Sequence, residues 1–182
     1  MPAFLKNNNF ISLFLIFIGV TLIGFVFVWR IQQRILSFNS QPANAQQVEA
    51  KNIPGRITIP KIKLSLPIET STIENKVWQI SDTRVSFLDI SAGLGQGGNT
   101  VLYGHNKQSI FGPIRWLKVG DEIGVTDQEG KEHRYIIDKT VTVNPDNISF
   151  VEPKTKETLT IYTCIGLFDS KRFIIVAYPV NP

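Results

Sequence analysis

The sequence predicts an all-β domain, a sandwich or closed barrel, carried behind a single N-terminal membrane helix. Three observations predict it: a charge-free apolar run near the N-terminus, short alternating apolar runs from residue 53 onward, and turn residues that punctuate those runs at regular intervals. At 182 residues the chain has room for one ordinary domain and an extension.

The apolar run is Phe10 to Trp29, FISLFLIFIGVTLIGFVFVW, in which Ser12 and Thr21 are the only polar side chains apart from the indole. A helix of that length covers about 30 Å, the thickness of the hydrocarbon core of a bilayer. Ala43-Asn44-Ala45 has the small residues of a signal cleavage site. It lies too far behind a run that is too long for a signal peptide, so residues 10–29 read as an uncleaved anchor behind residues 1–9. Lys6 precedes the run while Arg30 and Arg34 come after it, and by charge alone this leans toward a cytoplasmic C-terminus. Long downstream domains cross regardless of so few charges, and orientation therefore rests on the chemistry of the domain.

The formal charge of +4 comes mostly from this region. Residues 1–34 hold three basic residues and no acid, leaving 16 basic against 15 acidic in the remainder. A nearly neutral domain carries no electrostatic footprint for nucleic acid. Residues 30–52 contain SFNSQPANAQQVEAKN, polar and with little to bury, and read as a linker to a domain at 53–182.

Within that domain the strand candidates are RITI, KLSLPIE, TVLY, DEIGVT, HRYIIDKTVTV, TLTIYTC and RFIIVAY, in chain order. Short helical pieces are expected at Ile73–Ile80 and Gly112–Leu117. Gly93 to Gly98, GLGQGG, matches a dinucleotide fingerprint in letters only. It precedes a strand instead of coming after one and opens no helix, so it reads as a loop.

Two histidines and one cysteine at scattered positions make no metal-ligand spacing, and no metal or cofactor is expected. Cys164 closes TLTIYTC, and Arg172 opens RFIIVAY after the seven-residue turn IGLFDSK. A lone cysteine is ordinarily a small buried hydrophobe. In an extracytoplasmic domain, however, an unpaired thiol requires an explanation. A hairpin over this turn places Cys164 and Arg172 side by side, where a guanidinium stabilises a thiolate or an oxyanion. His105 in YGHN stands directly after TVLY, at a strand end where a rigid barrel presents reactive groups. His133 lies within an alternating strand and reads as a surface or half-buried position.

The ordered set GRITIPKIKLSLPIE, GQGGNTVLYGHN, FGPIRWLKVGDEIGV, NPDNISFVEP and TLTIYTC with an arginine shortly after it resembles the sortase family of cysteine transpeptidases along residues 54–180. The resemblance implies a closed eight-stranded barrel with Cys164, His105 and Arg172 as catalytic triad. It also implies thiolate attack on a C-terminal LPxTG-like sorting signal and transfer of the acyl group to an amine acceptor such as a cell-wall precursor, at the outer face of the membrane. Tyr103, Asn106 and Thr163 flank the triad positions and are the candidate substrate-binding residues. Tyr103 is large where many members of the family carry a small residue, and residues 30–52 lack the Asp-Pro-aromatic lid of pilin-assembling members. The competing readings are a membrane-tethered β-barrel binding or scaffold module without turnover, and a hydrolytic cysteine protease.

Overall fold

A computed structural model describes residues 8–32, 52–74 and 77–180. Most of the expected linker, residues 33–51, lies outside the described residues. The helix α1 (Asn8–Gln32) and the downstream domain are separate units. In α1 the stretch Ile11–Val28 has a mean hydropathy of 2.8, long and apolar enough to cross a membrane. Its one threonine hydroxyl turns back onto the helix: Thr21 Oγ1 donates to the carbonyls of Phe17 and Ile18 at 3.0 and 2.9 Å.

The strands of the domain are, in chain order, β1 (Pro54–Ile59), β2 (Leu64–Ser71), the two-residue β3 (Ile73–Glu74) and β4 (Val77–Trp78), β5 (Val85–Leu88), β6 (Asn99–Tyr103), β7 (Glu122–Asp127), β8 (Glu132–Val143), β9 (Thr158–Ile165) and β10 (Lys171–Pro179). Eight of them close into a barrel in the order β1-β2-β5-β6-β9-β10-β8-β7, with β2/β5 and β6/β9 parallel and the other pairs antiparallel. Each strand candidate read from the sequence is a strand of the barrel; β5 is the addition. Closure removes the sheet edges that would otherwise invite pairing with another chain.

Local chemistry sets the turns. Between β7 and β8 the Asp127 carboxylate accepts from the backbone N–H groups of Glu129 and Lys131, and Gly130 takes a left-handed φ of 91°. His133, half-buried in β8, places Nε2 3.1 Å from Asp127 Oδ2 and so serves the same turn. The GLGQGG segment is a turn with Gly95, Gly97 and Gly98 at positive φ, and it feeds β6 directly.

Two apolar clusters result. Ile57, Ile59, Phe87, Leu102, Leu159, Ile161, Ile175 and Ala177 fill the barrel interior. Alternate residues of β6, β9 and β10 point to the other face and form a second cluster: Val101, Tyr103, Tyr162, Cys164, Ile174 and Val176. This second face is covered because β2 and β5 run parallel, and a parallel pair requires the chain to cross back outside the sheet. The crossover carries β3 and β4, which pair with each other. The helix expected at Ile73–Ile80 is therefore corrected. Ile73, Trp78 and Ile80 belong to the second cluster, and extended backbone lets them reach a broad sheet face that a short helix would touch along one stripe. At Gly112–Trp116 the expected helical piece is a 3-10 turn.

Candidate active site

Three strand ends converge at one end of the barrel. β9 and β10 pair antiparallel with Cys164 opposite Arg172, so their side chains share the outer face. β6 lies parallel to β9 with Tyr103 opposite Tyr162, which brings the residues after β6, beginning with Gly104 and His105, to the level of Cys164. The hairpin expected from the spacing is thus present, and the structure brings Cys164, Arg172 and His105 to the same rim.

The turn between β9 and β10 is strained. Gly166 has φ 85°, and Phe168 and Asp169 are left-handed at 54° and 57°, a conformation that costs a non-glycine residue about 1–2 kcal/mol. Arg172 holds this turn: Nη1 donates to the Asp169 carbonyl at 2.7 Å and to that of Lys171 at 3.2 Å. The arginine is 2% exposed, while Leu167 and Phe168 of the same turn stand exposed.

Cys164 is 1% exposed. Burial pushes its thiol up to about 12, against the pull of the Arg172 charge and a hydrogen bond from its guanidinium, with the Asp169 carboxylate adding to the rise. The resting group is a neutral thiol. Beside it the Tyr103 and Tyr162 rings stack at 5.4 Å and 9°, and the Trp78 indole meets both edge-on at 5.6 and 6.1 Å. Tyr103 Oη donates to the Gln79 carbonyl at 2.5 Å and ties the crossover down. Tyr103 is therefore part of a closed aromatic wall on the cysteine's face.

His105 is positioned by the loop that leads away from it. Its carbonyl accepts from Phe111 N–H at 3.1 Å, and a Cβ on Gly104 would stand 2.9 Å from Ile110 Cγ2. The loop can close this tightly only over a glycine. The imidazole Nε2 lies 3.4 Å from Asp82 Oδ1. Burial lowers the His105 pKa, assisted by the Lys107 charge, while Asp82 and Asp169 pull it upward.

Of the other expected site residues, Asn106 is exposed in the loop after His105. Thr163 is fully buried and alternates with Cys164 along β9, so it faces away from the thiol; its Oγ1 donates to the Gly104 carbonyl at 2.8 Å and fastens the histidine loop to β9. Trp78, Asp82, Tyr162 and Asp169 join the site without having been candidates from sequence. Tyr162 and Asp169 lie in the strand and turn beside Cys164, where proximity in the chain could have found them, whereas nothing in sequence spacing links the crossover to the thiol. Among the described residues no group of three or more His, Cys, Asp or Glu side chains has the placement to hold a metal ion.

A closed eight-stranded barrel with a thiol and a guanidinium facing each other at the end of adjacent strands, and a histidine on the neighbouring strand end, defines a cysteine-centred site of one architecture. The chain belongs to the sortase family: the family model described as Sortase domain matches residues 57–180. The chain is 34% identical over 140 residues to Sortase A of Bacillus anthracis, covering 75% of this chain and 63% of that protein. It is 26% identical over 144 residues to Sortase A of Listeria monocytogenes, covering 77% and 62%. The match thus spans less than two thirds of either relative's length. Sortase C1 from Streptococcus agalactiae shares the fold with a TM-score of 0.59 at 27% identity, over 76% of this chain and 74% of that one. Sortase A from Corynebacterium diphtheriae superposes with a TM-score of 0.62 at 23% identity, over 81% and 76%.

Proposed function

We propose that the protein is a membrane-anchored cysteine transpeptidase, held by α1 with the barrel on the outer face of the membrane. The observation that carries the reading is the cross-strand pair of Cys164 and Arg172 on one face, at the rim that also bears His105. Membership of the family supports it.

In this reaction the Cys164 thiolate attacks the Thr-Gly type carbonyl of an LPxTG-like sorting signal at the C-terminus of a surface protein. Arg172 stabilises the developing oxyanion, because a buried guanidinium acts there without water to screen it. His105 as imidazolium gives its proton to the departing amine, and the acyl group is left on sulfur as a thioester. An incoming amine then loses a proton to His105 and displaces the sulfur. Water in place of the amine would make the same site a protease. Asn106, exposed in the loop after His105, is the candidate to meet the peptide, whereas Tyr103 is fully buried and would act through the aromatic wall behind the site. Thr163 contributes through the histidine loop it holds.

The resting geometry adds a requirement. A thiol near 12 facing an imidazole whose pKa is lowered leaves only a minute fraction of the chain as the thiolate–imidazolium pair. In this reading peptide binding lowers the thiol pKa before attack, by relieving its burial or by bringing charge to the sulfur. The test supplies the full-length protein with LPxTG-like peptides and several amines. Transpeptidation predicts that added amine diverts product from free acid to amide. Unchanged hydrolysis at every amine concentration supports the protease instead, and no turnover with any peptide supports a binding module.

A further inference from the structure

We propose that Asp82 is the positioning residue for the His105 imidazole, drawing its Nε2 into an ion pair and directing Nδ1 to the proton transfers. The inference rests on the transpeptidase reading for its catalytic meaning but not for its geometry. Asp82 Oδ1 lies 3.4 Å from His105 Nε2 and 3.7 Å from Lys107 Nζ. The contact is an ion pair and not a formed hydrogen bond, since Nε2 is buried without a hydrogen-bond partner in this geometry, and it strengthens when the imidazole is protonated.

An exposed carboxylate ordinarily contributes little, and the Asp82 side chain is 88% exposed. Its backbone, however, is fixed on both sides. Ser81 N–H donates to Ser86 Oγ at 3.0 Å, and Arg84 N–H donates to Ser81 Oγ at 3.1 Å, which folds the chain tightly around residue 82. Lys107 Nζ donates to the Asp82 carbonyl at 3.0 Å, so the histidine loop grips the crossover at both the carbonyl and the carboxylate of one residue. Little freedom remains to be lost when the carboxylate turns to the ring. An imidazole whose one nitrogen is held by a carboxylate has its tautomer and orientation set, leaving the other nitrogen to exchange protons. The charged groups facing His105 are Lys107 on its own loop, Asp82 on the crossover and Asp169 on the β9–β10 turn. Asp169 bears on Cys164 as well, whereas the carboxylate in contact with the ring nitrogen is that of Asp82.

The test uses the tag-free full chain with ¹⁵N-labelled histidine, in which His105 and His133 are the only two signals. Long-range ¹H–¹⁵N spectra give the tautomer and the titration midpoint of each ring. The wild type is expected to show neutral His105 with hydrogen on Nε2. In Asp82→Asn the His105 midpoint is expected to fall by about 0.2–0.7 pH unit, the range of an exposed pair, and the tautomer preference to weaken. Asp82→Glu is expected to retain both, and His133, paired with Asp127, to stay unmoved in every variant. An identical His105 midpoint in wild type and Asp82→Asn, or hydrogen on Nδ1 in the wild type, overturns the proposal. A wild type that forms no thioester sinks the transpeptidase reading instead, and leaves the titration to decide on Asp82.

Discussion

At the scale of single residues the site is defined by a conflict. Arg172 favours the thiolate of Cys164, yet burial outweighs it and the sulfur rests protonated. Alkylation of Cys164 by iodoacetamide is therefore expected to accelerate with pH without levelling off below about pH 10, since the thiolate is the reacting form. Relief of one pH unit of desolvation raises the thiolate fraction about tenfold at neutral pH. Trp78→Leu, which keeps apolar bulk but opens the aromatic wall, is expected to quicken alkylation by on the order of that factor. A reaction already saturated at pH 8 would contradict the buried neutral thiol. Cys164 and Arg172 were legible because a seven-residue turn between two apolar strands fixes a hairpin, and a hairpin fixes who faces whom. Asp82 was not, because it meets His105 through a crossover that no local pattern announces.

At the scale of elements the decisive piece is the loop from Gly104 to Gly112. A Cβ at position 104 would press within 2.9 Å of Ile110 and 3.2 Å of Phe111, both buried. Overpacking of this kind costs about 1–3 kcal/mol. Gly104→Ala is expected to shift the histidine loop and lower kcat on the order of tenfold or more, with a smaller change in KM, because orientation of the base is what suffers. Steady-state kinetics alongside thermal unfolding separates that from simple loss of fold. Strands such as HRYIIDKTVTV were readable from alternation. VSFL at Val85–Leu88 was not, since all four residues are buried and no alternation survives. The segment Ile73–Ile80 misled in the opposite direction: it was expected to be helical, but extended backbone across a sheet face packs Ile73, Trp78 and Ile80 there and leaves Val77 exposed.

At the scale of the molecule the barrel supplies rigidity. β9 is paired on both sides and buried along Thr158 to Cys164, so it anchors the thiol through its whole length. Asn99 ties its approach: Nδ2 donates to the carbonyls of Phe150 and Glu152 at 2.9 Å each, and Oδ1 accepts from Thr160 Oγ1 at 2.7 Å. Ile161→Ala, in the centre of β9 on the interior face, is expected to destabilise the barrel by about 2–5 kcal/mol, readable by denaturant unfolding. The all-β class was legible from strand patterning. That β2 pairs with β5 and β6 with β9 in parallel was not, because such pairings join strands far apart in sequence, and it is these pairings that carry β6 to β9 and the crossover over the cysteine.

The proposed chemistry stands or falls with Cys164 as an acyl-carrying nucleophile. Intact-mass spectrometry of the full-length protein after brief incubation with an LPxTG-like peptide, quenched in acid to preserve thioesters, reads that role off the sulfur itself. The predicted result is a mass gain equal to the acyl fragment, located on Cys164, discharged by added amine and absent from a folded Cys164→Ala variant. An unmodified cysteine across a range of such peptides, or a Cys164→Ala variant that turns them over like the wild type, would contradict it.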